Sequence, residues 1–172
     1  ALGDISGKAG QMGRFYTHGK IKATRLLICG LGKRSEFTVE GLRSKMANII
    51  SKAKNLNVHT LAFTTIGASE ADLSLGDFAH VMAETALLSN FHYDQFTKKS
   101  GDLKPAEDAH KVSTLFLLSS RKVDKKALDQ GIRSGVIYGD ATNMARELVN
   151  GPRNYVTPDL FLAKARQIAK AK

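Results

Sequence analysis

Apolar residues fall into short continuous runs that alternate with stretches of helical spacing. Arg25-Leu-Leu-Ile-Cys-Gly-Leu-Gly32 is a continuous run closed by glycines, the pattern of a buried parallel strand with a turn at its end. Val39, Leu42, Met46, Ile49, Ile50 and Ala53 then recur at helical spacing, and the Thr38 hydroxyl can cap the first turn. Val58 to Ile66 reads as a second strand, rich in β-branched and aromatic residues and closed by Gly67. A second helix is predicted over Leu75 to Phe91, with Phe78, Met82 and Ala86 on its apolar side. The polar stretch from Asp94 to His110 reads as an exposed connection. A third strand centres on Leu115 to Leu118, and a long helix follows from Asp124 to Val149. Its Leu128, Ile132, Gly135, Gly139, Ala145 and Leu148 suggest a face made for close packing.

Gly151 and Pro152 cannot continue that helix comfortably. Thr157-Pro158-Asp159 restarts one, with a hydroxyl cap, proline at the first position and an acid in the first turn. Leu160, Phe161, Leu162, Ala165 and Ile168 are its residues to bury. The first two dozen residues hold five glycines and read as short strands or turns. Strand–helix alternation of this kind predicts an α/β fold, three layers deep (α/β/α), around a mixed, largely parallel sheet.

Composition narrows the picture without supplying chemistry. Among 172 residues, 42% are hydrophobic and 24% charged, which excludes a mainly disordered chain. The apolar runs are too short to span a bilayer, so no membrane partner is expected, and no signal-like stretch points to secretion. One cysteine, Cys29, excludes an internal disulfide and fits a reducing compartment. The chain begins with Ala1 rather than Met, as a processed product or an excised piece would. Its net charge of +10 is concentrated in residues 1–54 and 111–172, whereas the middle third is acidic. That asymmetry suits a phosphate backbone or an acidic partner surface, and equally an ordinary solvated exterior.

Each candidate site has a plain structural alternative. The Gly30-Leu-Gly32-Lys33-Arg34 turn follows a strand, where phosphates often bind, but it lacks a full nucleotide fingerprint. Thr64 to Ala68 is a similar turn. His80 and Glu84, four apart on one helix, could supply two metal ligands, with His92 and Asp94 as distant third candidates. His18, His59 and His110 are scattered. Cys29 lacks a recognisable base, and Asp72 and Asp77 suit loop and helix-start roles as well as acid chemistry. Lys33-Arg34, Lys98-Lys99, Arg121-Lys122 and Lys125-Lys126 are paired cations able to hold phosphates rather than read bases.

Three segments together carry a family resemblance. Ala145-Arg-Glu-Leu-Val-Asn150 followed by Pro152, Asn154 and Thr157-Pro158 resembles the signature joining the two domains of cytosolic leucyl aminopeptidases. Leu26-Leu-Ile-Cys-Gly-Leu-Gly-Lys33 resembles the family's first-domain strand and turn, and Ala83 through Lys98 resembles its helix and Tyr-Asp-x-Phe-x-x-Lys segment. Gly151 departs from the Thr or Pro often found there. The resemblance implies a macro-domain-like N-terminal domain over residues 1–149, an interdomain linker over 150–158 (Asn150, Pro152, Asn154, Thr157, Pro158), and the start of a helix over 159–172 leading to a catalytic domain. It further implies a cytoplasmic hexameric metallo-aminopeptidase acting on peptides, with two divalent metals, zinc or manganese, in that catalytic domain. The metal-bearing Asn-Thr-Asp-Ala-Glu-Gly-Arg motif is absent, so this chain is expected to carry no catalytic, cofactor-binding or metal-ligating residue and to be inactive alone. Its implied roles are assembly and active-site access, with weak DNA binding an added possibility from relatives and charge. The alternative is a free-standing macro-like module binding ADP-ribose or a related nucleotide at the Gly30 to Lys33 and Gly67 turns.

Overall fold

The computed structural model describes residues 5–65, 67–68, 71–93, 96, 111–119 and 123–170. Strands β1 (Met12–Tyr16) and β2 (Arg25–Cys29) form an antiparallel pair, with Met12 opposite Cys29 and Tyr16 opposite Arg25. Helix α1 (Val39–Asn55) follows, then β3 (Thr60–Thr64), α2 (Leu75–Asn90), β4 (Thr114–Leu118), α3 (Lys125–Asn150) and α4 (Pro158–Lys170). β3 and β4 pair in parallel, Thr60 beside Thr114, with α2 in the crossover. The expected α/β class with mixed strand directions is what the chain adopts.

The expectation for Arg25 to Gly32 needs correcting. β2 is an antiparallel strand, and it alternates between half-buried and exposed rather than lying buried throughout. Its partner β1 comes from the glycine-rich opening, where Gly13 and the charged Arg14 hide the strand pattern. On the outer face Phe15 stands across from Leu26, and both are more than 40% exposed.

The core lies between the helices and one face of the β3–β4 pair. Leu42, Met46, Ile50 and Ala53 of α1 meet Phe78, Val81 and Met82 of α2, and Leu61, Phe63, Leu115 and Leu117 pack against them from the strands. Both α1 and α2 therefore cover the same strand face. On the opposite face Phe116 and Leu118 remain about half exposed. α3 packs along α2 on the far side. That approach needs glycine: a Cβ at Gly131 would fall on the Gly76 carbonyl oxygen, and one at Gly135 on that of His80.

The helix boundaries follow their caps. Thr38 Oγ1 accepts from the Gly41 amide at 3.1 Å, as its sequence position predicts. Ser74 accepts from the Asp77 amide while its own hydroxyl donates to the Asp77 carboxylate at 2.7 Å. Asp124 accepts from Lys126 and Ala127 to start α3. α4 was expected to bury Leu160, Phe161, Leu162, Ala165 and Ile168, yet it has no buried residue, and Phe161, Leu162 and Ile168 are half exposed.

Candidate functional site

The sequence candidates resolve first into structural roles. At the glycine turn after β2, the Gly30 amide donates to the Gln11 carbonyl at 2.8 Å and the Gly32 amide to the Gly7 carbonyl at 3.0 Å. Residues 7–11 therefore occupy two of the turn's amide donors, those of Gly30 and Gly32, which a phosphate could otherwise have used. The turn after β3 is similarly closed on itself, with Ala71 donating to Gly67 and Leu73 to Ala68. Asp77 is the capping acid of α2, and Asp72 sits in a turn with φ of 54°. The two acids thus serve the entry to one helix. Cys29 is half-buried, and burial pushes its thiol above the ordinary range despite the opposing influence of Lys45.

His80 and Glu84 do share a face of α2, with Nε2 and Oε2 3.6 Å apart. The carboxylate also accepts from Arg43 of α1 at 2.5 Å, and His80 Nδ1 lies 3.1 Å from Ser134 Oγ of α3. This cluster ties three helices together: an ion pair with both side chains less than one-third exposed, extended by a ring nitrogen. Spacing within α2 revealed the pair, whereas Arg43 and Ser134 come from distant segments and had no sequence signal. His92 lies about three helical turns further along the chain, too far to join them. Asp94, His110, Lys98-Lys99 and Arg121-Lys122 lie outside the described residues. Among the described residues no group of three or more His, Cys, Asp or Glu side chains could hold a metal.

The elbow between α3 and α4 gathers more. α2 ends beside it, and its last carbonyls are bound by neighbours: Leu87 by Asn143, Leu88 by Arg146 and Ser89 by Lys54. Asn90 then grips Val112 through both its amide nitrogen and its oxygen. These bonds fix where Phe91, His92 and Tyr93 emerge. On the other side, α3 stops when Gly151 donates back to Glu147, and Tyr155 and Val156 both donate to the Pro152 carbonyl. Thr157 caps α4, its hydroxyl accepting from Leu160 at 3.4 Å. A Cβ at Gly151 would fall on the Val156 side chain, so the departure at this position allows a tight turn.

Tyr93, Phe96 and Tyr155 form an aromatic chain, with Phe96 and Tyr155 edge to face at 4.9 Å. Beside it lies a half-open pocket of about 300 Å³, lined by His92, Tyr93, Glu147, Leu148, Tyr155 and Val156 and by Leu160 and Lys164 of α4. Lys164 faces Glu147 at 3.9 Å. The Tyr93 hydroxyl is buried without a hydrogen-bond partner among the described residues. Burial pushes it above the ordinary tyrosine range, and Tyr155 and Glu147 push the same way. Of the expected linker residues, Pro152 and Thr157 make the turn and the cap, Pro158 opens α4, and Asn150 and Asn154 are exposed. Two segments on which the resemblance rests thus meet in space, although some sixty residues separate them.

The described residues form an α/β unit in which polar clusters join helices and a proline-containing turn connects α3 to α4. The comparisons are specific. Residues 1–100 match the model of the cytosol aminopeptidase family, N-terminal domain, and the chain belongs to that family. It is 33% identical to a probable cytosol aminopeptidase of Oleidesulfovibrio alaskensis, covering 98% of this chain and 32% of that protein. A probable cytosol aminopeptidase of Roseiflexus castenholzii is 36% identical, covering 98% and 33% respectively. The chain therefore spans about a third of the length of the curated relatives it matches. In fold it is similar to the bottromycin maturation enzyme BotP in complex with Mn, with a TM-score of 0.73 at 20% identity over 97% of this chain and 32% of BotP.

Proposed function

We propose that this chain is the noncatalytic N-terminal domain of a metal-dependent leucyl aminopeptidase that releases N-terminal amino acids from peptides. The observation that carries the reading is the extent of the match: nearly the whole chain aligns with one-third of aminopeptidases about three times its length. On this reading residues 1–149 are the domain, 150–158 the linker and 159–172 the beginning of a helix leading into the catalytic domain. Zinc or manganese belongs to that second domain, and the enzyme is a cytoplasmic homo-oligomer, a hexamer by family resemblance. The domain contributes to assembly and to control of access to the active site. Support comes from the exposed apolar residues of α4 and of the outer strand faces, which a larger assembly would cover. The reading frame beyond Lys172 is the test: an Asn-Thr-Asp-x-Glu-Gly-Arg segment is expected there, and a stop codon after Lys172 would remove the main support.

Weak DNA binding belongs to the same reading. Lys8, Arg14, Lys20 and Lys22 are exposed on and around the β1–β2 hairpin, and Lys125, Lys126 and Arg133 lie together at the start of α3. Contacts of this kind neutralise phosphates, so duplex affinity is expected at low salt and should fall steeply as salt rises. Absence of binding at low ionic strength in a titration would sink the idea. The alternative, ADP-ribose or a related nucleotide, gains no support from the glycine turn after β2, where the Gly30 and Gly32 amides are already engaged.

A further inference from the structure

The β1–β2 hairpin joins uncompensated charge to exposed apolar surface. From Ile5 to Ser35 the chain holds seven Lys or Arg residues and no Asp or Glu. Arg25 donates to the Leu56 carbonyl at 3.1 Å and Lys33 pairs with Glu36. Lys8, Arg14, Lys20 and Lys22 are exposed and form no ion pair among the described residues. The loop over residues 17–24 is closed at its base. The Thr17 amide donates to the Thr24 carbonyl at 3.2 Å, its hydroxyl to the Ala23 carbonyl at 2.6 Å, and the Lys20 amide to the Thr17 carbonyl at 3.0 Å. Ile21 is left about half exposed at the tip, between Lys20 and Lys22. Tyr16, the last residue of β1, is similarly exposed, with the Arg14 guanidinium over its ring at 5.5 Å. Phe15 and Leu26, opposite one another, and Ile28 add a partly exposed apolar strip along the outer face.

The cations call for an acidic partner, and the apolar residues select its kind. A nucleic acid duplex takes cations at its phosphates, but it accommodates an apolar wedge only by unstacking a base step. A protein interface would take the apolar strip, yet such interfaces are poor in lysine. A bilayer surface with anionic headgroups accepts both features. Lysine stems lie along apolar surface while their ammonium heads stay at the phosphates, and tyrosine favours the same boundary. Binding of this kind needs no segment long enough to span the bilayer. We propose that the β1–β2 hairpin docks on an anionic lipid surface. Ile21 enters the boundary between headgroups and acyl chains, Lys20 and Lys22 hold phosphates on either side, and Arg14 and Tyr16 sit at headgroup level. The proposal stands on residues of this chain and does not depend on the aminopeptidase reading. It draws on some of the cations invoked above for duplex DNA, and differs in needing Ile21.

The chain contains no tryptophan, so Ile21→Trp places a single reporter at the tip. With vesicles of phosphatidylglycerol and phosphatidylcholine its emission should shift to the blue and be quenched by lipids brominated on the acyl chains. Neither change is expected with pure phosphatidylcholine. In sedimentation at low salt the unaltered 172-residue chain should pellet with the anionic vesicles and not with the neutral ones. Ile21→Ser should weaken that binding several-fold, and Lys20→Gln and Lys22→Gln about fivefold each. All three positions are exposed, and thermal melts should show the fold unchanged. No pelleting with anionic vesicles, equal pelleting with neutral ones, or unchanged binding of Ile21→Ser would overturn the proposal. Duplex DNA binding that survives Ile21→Ser, without any vesicle binding, would overturn it too and assign the cations to nucleic acid.

Discussion

Gly131 shows how much a single hydrogen atom decides. The Gly76 carbonyl occupies the place a side chain would need, and both backbones belong to helices that cannot shift independently. Gly131→Ala should lower stability by about 1–3 kcal/mol through overpacking, read as a lower urea midpoint with an unchanged slope. Cys29 makes a different prediction. Its folded thiol is pushed above the ordinary range mainly by burial, so the unfolded chain ionises first as pH rises. The associated stability is complete below the ordinary thiol range and is lost as pH climbs through it toward the folded value. Alkylation by iodoacetamide should accordingly be slower in the folded chain than in urea at the same alkaline pH. Equal rates would refute the shift. Little of this was legible beforehand: Gly135 and Gly139 were visible as packing glycines, but which backbone they meet is a matter of tertiary structure. His80 and Glu84 were visible as a pair, whereas Arg43, forty-one residues from Glu84, was not.

At the scale of elements, local signals worked where the signal was local. α1 begins at the predicted cap, and the apolar positions Leu42, Met46, Ile50 and Ala53 are the buried ones. β2 was misjudged because a continuous apolar run looks the same whether a strand is buried on both faces or merely lacks polar residues on its exposed one. Its neighbour and direction depend on β1, whose Gly13 and Arg14 interrupt the pattern. The elbow pocket was illegible for a related reason, since Tyr93, Glu147 and Lys164 lie on three separate segments. The strand faces offer a clean test. Leu117 of β4 packs against the core and Phe116 points away, about half exposed. Leu117→Ala should cost about 2–4 kcal/mol, while Phe116→Ser should stay within about 0.5 kcal/mol, both from urea melts. Comparable losses at the two positions would show that the outer face is covered in the isolated chain.

For the whole molecule, the Arg43, Glu84, His80 and Ser134 side chains hold α1, α2 and α3 together. Its exposed apolar residues, on α4 and on the outer strand faces, suit a piece that functions within something larger. The net charge of +10 bears on nucleic acid only through the salt titration above. Family membership and coverage of about a third of each relative agree with that view. The most direct measurement is hydrolysis of a leucine anilide, with and without added divalent metal, by the full reading frame carrying these residues and by the 172-residue chain alone. Metal-dependent turnover by the former and none by the latter is the expected result. Turnover by the chain alone, or none by the full reading frame, would contradict the account.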